Sequence, residues 1–312
     1  MVVQFRELSS VAILGLGVIG QGMASRIATA AVELVVWNRT ADTAWRVAPG
    51  NATIATSAAG AAAIADLVII SLSDDAAVRS VLADDAGMVN ALRSGTIVVD
   101  TSTVAPQTSR QVAGSLAGLG VTYIDAPVTG GAEKARDGTL TLLCGGPEPA
   151  IHHVRPVLDM VAARVVRFGD VGAGQYVKAI NQVMLAGALA GVAEGVALAE
   201  AAGLDAASIV AGLVDGAAAS WVLSQRAPLM ISRDLRARGR IALHLKDLRI
   251  AMQTAAELGF EAPLTALVES LEASVVGAGY GDEDVSALIR AYATDGLRPS
   301  SGAGSQAERR GR

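Results

Sequence analysis

The sequence predicts an open, doubly wound α/β sheet followed by an all-α helical domain. Three observations carry that reading: short apolar runs alternate with helical stretches through the first half, a glycine-rich turn links the first run to the first helix, and strand signals stop at Gly174. Alternation of this kind lays helices on both faces of a largely parallel sheet. With 312 residues, 52% of them hydrophobic and 18% charged, the chain has the length and composition for two cores. A net charge of −5 offers nucleic acid no attractive field, and the basic residues cluster only at Arg309, Arg310 and Arg312, so no nucleic-acid partner is expected. A single cysteine excludes an internal disulfide and a cysteine-based zinc site, in keeping with a reducing cytosol.

The first element is a strand over Val11–Leu14, an apolar run of the buried kind. Met1–Ser10 before it contains Arg6 and Glu7 and no apolar signal core, so a cytoplasmic protein is expected. Gly15-Leu16-Gly17-Val18-Ile19-Gly20 follows, and Val18–Ala31 continues as a helix. Between a strand and a helix, G-x-G-x-x-G is a dinucleotide fingerprint and the fold is Rossmann-type. Gly15 permits the tight turn, Gly17 lets backbone approach a pyrophosphate, and Gly20 lets helix and strand pack closely, while the helix start offers N–H groups to the phosphates. The second strand, Leu34–Val36, leads into Asn38-Arg39-Thr40. NAD sites carry Asp or Glu there for the ribose hydroxyls, whereas an amide, a guanidinium and a hydroxyl suit a 2′-phosphate, so the cofactor is read as NADP(H).

Further strands are expected at Leu67–Ser71, Ile97–Val99, Thr122–Ile124 and Leu140–Cys144, with helices such as Asp75–Leu82 and Pro106–Leu119 between them. Leu72, just past the run ending at Ser71, is counted among the cofactor contacts. Asp100-Thr101-Ser102-Thr103 ends a strand, and Thr103 has two readings: a contact to the nicotinamide half of a cofactor, or a cap for the helix in which Pro106 sits early. In Asp125-Ala126-Pro127-Val128-Thr129-Gly130-Gly131, a hydroxyl and two glycines follow a strand, so Thr129, Gly130 and Gly131 can present successive N–H groups to a carboxylate; a plain glycine turn is the alternative. Cys144 reads as a small buried apolar residue of its strand.

Glycines at 169, 172 and 174 mark the boundary between an NADP-binding domain over 9–171 and a helical substrate and dimerisation domain over 172–296, with a disordered polar tail over 297–312. Helices are expected over Gln175–Ala202, Ala206–Leu213, Leu243–Leu258 and Pro263–Ser274. Substrates of open α/β sheets bind at the carboxyl ends of the strands, and the chemistry is expected there. Lys178, Asn181 and Gln182 fall at i, i+3 and i+4 and share a helix face. Lys178 heads an otherwise uncharged run, where burial favours its neutral amine and a bound carboxylate its ammonium, a combination suited to proton transfer; a snorkelling lysine is the alternative. The run Ala179–Ala193 is too short and too polar for a membrane span, reads as a buried helix, and leaves no membrane partner expected. Lys246-Asp247 reads as a surface pair, and His152-His153 lack companions for a metal, so no metal is expected.

Taken together, Gly15-x-Gly17-x-x-Gly20, Asp100-x-Ser102-Thr103, Asp125 to Gly131, Gly172-x-Gly174-x-x-x-Lys178-x-x-Asn181 and Lys246-Asp247-Leu248 resemble the β-hydroxyacid dehydrogenases. This family includes 3-hydroxyisobutyrate dehydrogenase, tartronate semialdehyde reductase and the glyoxylate and succinic semialdehyde reductases. The resemblance spans roughly residues 10 to 295. It implies Lys178 as the catalytic lysine, Thr129, Gly130 and Gly131 as the substrate-carboxylate loop with Asn181 and Gln182 nearby, and Thr103 and Lys246 as contacts to the nicotinamide half. It further implies a small carboxylate-bearing substrate and a homodimer or homotetramer. Thr129 stands where many members have Ser, and Gln182 where many have a second Asn. The alternatives are imine reduction on the same fold, which usually lacks this lysine, and a non-catalytic NADP-binding protein.

Overall fold

The computed structural model describes residues 5–83 and 87–292. The chain forms two compact units: the described residues up to Val183 with Arg249–Glu261, and Met184–Leu248 with the described residues from Ala262 on. The expected domain boundary precedes the long helix in which these units part, and the tail expected over 297–312 lies outside the described residues.

The first unit is built on nine strands: β1 (Ser10–Leu14), β2 (Glu33–Trp37), β3 (Thr53–Ile54), β4 (Leu67–Ile70), β5 (Ile97–Asp100), β6 (Thr122–Asp125), β7 (Val128–Thr129), β8 (Leu140–Gly145) and β9 (Ala162–Gly169). The helices between them are α1 (Val18–Ile27), α2 (Ala41–Val47), α3 (Ala58–Ile64), α4 (Asp75–Ala83), α5 (Pro106–Ala117), α6 (Gly131–Asp137) and α7 (Glu148–Val161), and α8 (Ala173–Ala201) follows β9. Sheet order is β3-β2-β1-β4-β5-β6-β8-β7 with β9 also on β8, and the pairs from β3 to β6 are parallel. The order reverses direction between β1 and β4, the crevice where open α/β sheets bind ligands.

Strands β1, β4 and β5 are buried throughout, which is why they read as unbroken Val, Ile and Leu runs. Their side chains alternate between two cores. Val11 and Ile13 pack on one face with Met23 and Ile27 of α1 and Val154 and Leu158 of α7. Ala12 and Leu14 pack on the other with Ala61 of α3, Val78 of α4 and Leu116 of α5. Helix α1 stops at Ile27 rather than Ala31, because the Thr29 hydroxyl donates to Arg26 O (2.7 Å) and the Asn51 amide to Ala28 O (2.8 Å), taking carbonyls that another turn would need.

The second unit is helical: the later turns of α8, then α9 (Ala206–Leu213), α10 (Trp221–Gln225), α11 (Ala227–Ser232), the first turns of α12 (Ile241–Glu257) and α13 (Pro263–Val275). Leu189 and Ala193 of α8 pack there with Val222, Met230, Leu248 and Val268. The expectation that the uncharged run Ala179–Ala193, within the helix expected over Gln175–Ala202, is buried needs correction. Helix α8 has 29 residues, its most apolar 18-residue stretch has a mean hydropathy of 1.6, enough by length and composition to cross a membrane, and only 33% of that stretch is buried. Apolar residues occur all round the helix, so those that miss the core, among them Ile180, Met184 and Leu198, are exposed.

Candidate active site

At the end of β1, Gly15 has φ +99°, and a Cβ there would sit 2.2 Å from the carbonyl oxygen of Ser71 after β4. A Cβ on Gly20 would sit 2.0 Å from Gly15 O. Both glycines are therefore demanded by contact within the protein. Gly17 is different: nothing lies within 4 Å of the position a Cβ would take. It is the N-cap of α1, which has no side-chain cap and no acidic residue in its first turn, so the helix start is left open to an anion. An open, uncapped helix start beside a tight turn fits a dinucleotide pyrophosphate.

Asn38 is engaged within the protein. Its Oδ1 accepts the Leu16 N–H (3.0 Å) and its Nδ2 donates to Thr40 O (3.0 Å), so its amide fastens the glycine turn to the tip of β2. Arg39 and Thr40 lie exposed beyond it. Across the crevice, the Leu72 N–H donates to Ser102 Oγ (2.9 Å), joining the tips of β4 and β5.

Thr103 is not the cap of α5; the capping position is Ala105, whose N–H donates to the Asp75 carboxylate (3.0 Å), and the Thr108 hydroxyl donates to the same oxygen (2.5 Å). Thr103 is instead held in place by its neighbours. The Gln175 Nε2 donates to Ser102 O (2.9 Å) and its Oε1 accepts the Val104 N–H (3.2 Å), bracketing Thr103 from the first turn of α8.

Asp125 ends β6 fully buried, its Oδ1 accepting the Gly172 N–H (2.7 Å) and its Oδ2 the Gln175 N–H (3.0 Å). Three residues on, Val128 O accepts from Lys178 Nζ (3.1 Å), so the lysine amine is held beside Thr129, Gly130 and Gly131. Lys178 is 8% exposed, which replaces the snorkelling alternative with a buried amine. Gly130 has φ +129° and Gly131 φ +75°, conformations suited to glycine, and a Cβ on Gly130 would press on the Lys134 side chain at 2.7 Å. One turn beyond Lys178, Asn181 Nδ2 donates to Gln182 Oε1 (2.8 Å), with Gln182 buried.

Lys246 lies in the second unit, in α12, where its amine pairs with Asp247 at 3.0 Å; at 25% and 13% side-chain exposure the pair is more enclosed than a surface pair. His153 Nε2 lies 2.8 Å from Arg6 O, a structural contact, and among the described residues no three His, Cys, Asp or Glu are grouped to hold a metal.

Burial, opposed by hydrogen bonds from Ser102 and Tyr123, pushes the Asp100 carboxyl up to about 6. Burial likewise pushes Asp125 up to about 6 against the two helix N–H groups, with Asp100 adding repulsion. The two carboxylates are register partners at the ends of β5 and β6. Burial also pushes the Cys144 thiol up to about 12, as expected of an inert core residue. The sequence reading passed over Asp125 and Gln175 as site residues. The available signal was a pair of glycines, Gly172 and Gly174, flanking the place where the carboxylate docks.

The family model for the NAD binding domain of 6-phosphogluconate dehydrogenase matches residues 10–169. The model described as NAD-binding of NADP-dependent 3-hydroxyisobutyrate dehydrogenase matches residues 172–292. The chain is 32% identical over 278 residues to 2-hydroxy-3-oxopropionate reductase of Escherichia coli strain K12, covering 89% of this chain and 95% of the relative. Among solved structures it is similar to 3-hydroxyisobutyrate dehydrogenase from Salmonella typhimurium, with 34% identity, a TM-score of 0.82 and 92% and 99% of the two chains covered. It is also similar to Psf3 in complex with NADP+ and 2-OPP, with 26% identity, a TM-score of 0.84 and 89% and 98% covered.

Proposed function

Since the chain belongs to the β-hydroxyacid dehydrogenase family, a family of nicotinamide-dependent oxidoreductases, we propose that it is an NADP(H)-dependent enzyme that interconverts a short β-hydroxyacid and its semialdehyde, with Lys178 as general acid and base. The single observation that carries this reading is the buried Lys178 amine held 3.1 Å from Val128 O, next to the Thr129 loop. The cofactor supplies or accepts a hydride at the carbon bearing the oxygen. In reduction the Lys178 ammonium gives its proton to the oxygen on that carbon, and in oxidation the neutral amine removes the hydroxyl proton. Thr129 and the N–H groups of Gly130 and Gly131 bind the substrate carboxylate, which fixes the carbonyl relative to the amine and contributes positioning. Asn181, paired with Gln182, lies one turn from Lys178 and orients substrate or lysine.

NADP(H) is preferred to NAD(H) because Arg39 is an exposed cation at the tip of β2, where it meets the 2′-phosphate; among the described residues it has no ion pair. The NADP+ bound in a structural relative supports the same choice. A homodimer or homotetramer would cover the exposed Met184, Leu198, Leu264 and Leu267 of the second unit.

The test is NADPH consumption with glyoxylate and with succinic, tartronate and methylmalonate semialdehydes, comparing the unmutated protein with Lys178→Ala. Turnover is expected to fall by at least about a hundredfold in the variant, the scale of general acid–base catalysis, with NADPH affinity kept. Unchanged turnover would remove Lys178 from the mechanism.

A further inference from the structure

We propose that Asp125 and Gln175 are positioning residues of this enzyme, which together set the first turn of α8 against the tips of β5 and β6 and so aim the Lys178 amine. The inference rests on the reading of Lys178 as acid and base. Neither side chain is assigned contact with substrate or cofactor; both act through the backbone they hold.

A helix begins with N–H groups that lack intrahelical partners, and something must accept from them. At α8 that acceptor comes from the sheet: the Asp125 carboxylate uses one oxygen for Gly172 and the other for Gln175. Two contacts on one rigid group fix both the height and the rotation of the helix start. The socket around the carboxylate is closed, because a Cβ on Gly145 would sit 2.5 Å from Asp125 Oδ1, and one on Gly174 would sit 2.1 Å from Leu143 O and 2.8 Å from Asp125 Oδ2.

Gln175 then transmits that placement to the loop after β5. Its amide holds the residues on either side of Thr103, while its own backbone N–H is held by Asp125. Lys178 lies three residues further along the same helix, on the neighbouring surface position, and its amine reaches Val128, three residues after Asp125. The proton-transfer group, the carboxylate loop and the Thr103 loop are thus all referred to one buried carboxylate and one buried amide. Gln175 is 1% exposed and Asp125 0%, so water does not replace either set of bonds. Misplacement of a reacting group by about 1 Å costs on the order of a hundredfold in rate.

The test uses the full-length protein and whichever of the four carbonyl acids above it reduces fastest. In Asp125→Asn one N–H meets an amide NH2, and in Gln175→Met both bonds to the Thr103 loop vanish at similar volume. Each is expected to lower kcat roughly 30- to 300-fold, with the Kd for NADPH, read by fluorescence titration, within about threefold of the unmutated value. Asp66→Asn serves as the stability control: Asp66 is a buried carboxylate just before β4, at the opposite end of the strands, bonded to Arg6, Ser9 and Ser10. Its kcat per NADPH-binding molecule is expected to stay within about threefold. Should Asp125→Asn fail to fold, Gln175→Met decides alone. Normal kcat in Gln175→Met, or an equal loss of kcat in Asp66→Asn, overturns the proposal while Lys178→Ala remains inactive. Full turnover in Lys178→Ala overturns the underlying reading instead.

Discussion

Two glycines of the fingerprint, Gly17 and Gly20, should separate stability from cofactor binding. In Gly20→Ala the new methyl would lie 2.0 Å from Gly15 O, so α1 must withdraw from β1 along the interface that Met23 and Ile27 make with the sheet. Overpacking of this kind costs about 1–3 kcal/mol, which for a chain of this size lowers Tm by about 1.5–5 °C. Gly17→Ala meets nothing within 4 Å, and the native φ −65° and ψ −179° suit alanine. Its effect on stability should be under about 0.5 kcal/mol, since a small N-cap penalty opposes a gain from a stiffer unfolded chain. Yet the methyl would stand where phosphate oxygens must approach the helix start. Losing one hydrogen bond to a charged oxygen weakens binding by about 1.5–3 kcal/mol, or roughly 10- to 150-fold in Kd. Thermal melts without cofactor and NADPH fluorescence titrations read the two quantities. Wild-type NADPH affinity in Gly17→Ala would refute the placement of the pyrophosphate over α1, and a wild-type Tm in Gly20→Ala would refute the packing argument.

The remaining predictions concern charge. At Asp66, burial raises the pKa, but hydrogen bonds from Arg6, Ser9 and Ser10 outweigh it and hold the carboxyl well below its usual range. The stability it contributes is present above about pH 4 and lost as pH falls through its folded value, so urea denaturation should show Asp66→Asn destabilised at pH 7 and the gap closing in acid. For Asp100 the sign is opposite: with a folded value of about 6, its contribution is complete below about pH 4 and lost as pH rises through 6, so the unmutated protein should lose stability relative to Asp100→Asn between pH 4 and 7. Arg39→Ala should reduce the ratio of kcat/KM for NADPH over NADH by roughly 10- to 100-fold, the worth of one charge-assisted contact; an unmutated protein that uses both cofactors equally would refute the role given to Arg39.

Strands β1, β4 and β5 were legible because burial on both faces writes them as largely apolar runs, and the fingerprint turn because steric need restricts two of its positions to glycine. Several elements escaped, among them α7 and β9. Helix α7 continues through Pro156, which local rules read as a stop, and β9 carries exposed Arg164 and Phe168 among its apolar residues. At the site, Lys178 was visible as the lone charge of an apolar run. Asp125 was not, because its partners Gly172 and Gln175 lie 47 and 50 residues away and no local pattern encodes such a bond. Asn38 likewise has a part that no local pattern encodes: its amide clasps the glycine turn to the tip of β2.

The adjacent Asp100 and Asp125 explain why the sheet ends in charge where apolar residues would bury more favourably. Each is fully buried and raised to about 6, so at neutral pH each holds a charge that the surroundings disfavour. Valine at either position would remove that penalty, but it would leave N–H groups without an acceptor: Ser102 at the one, Gly172 and Gln175 at the other. Those groups begin the Thr103 loop and helix α8, the two segments that must keep fixed places relative to the Thr129 loop. A carboxylate accepts from two directions at once, which a neutral amide cannot do without turning a donor toward an N–H. Destabilisation by buried charge is therefore concentrated at the carboxyl ends of β5 and β6, where geometry matters more to this enzyme than stability.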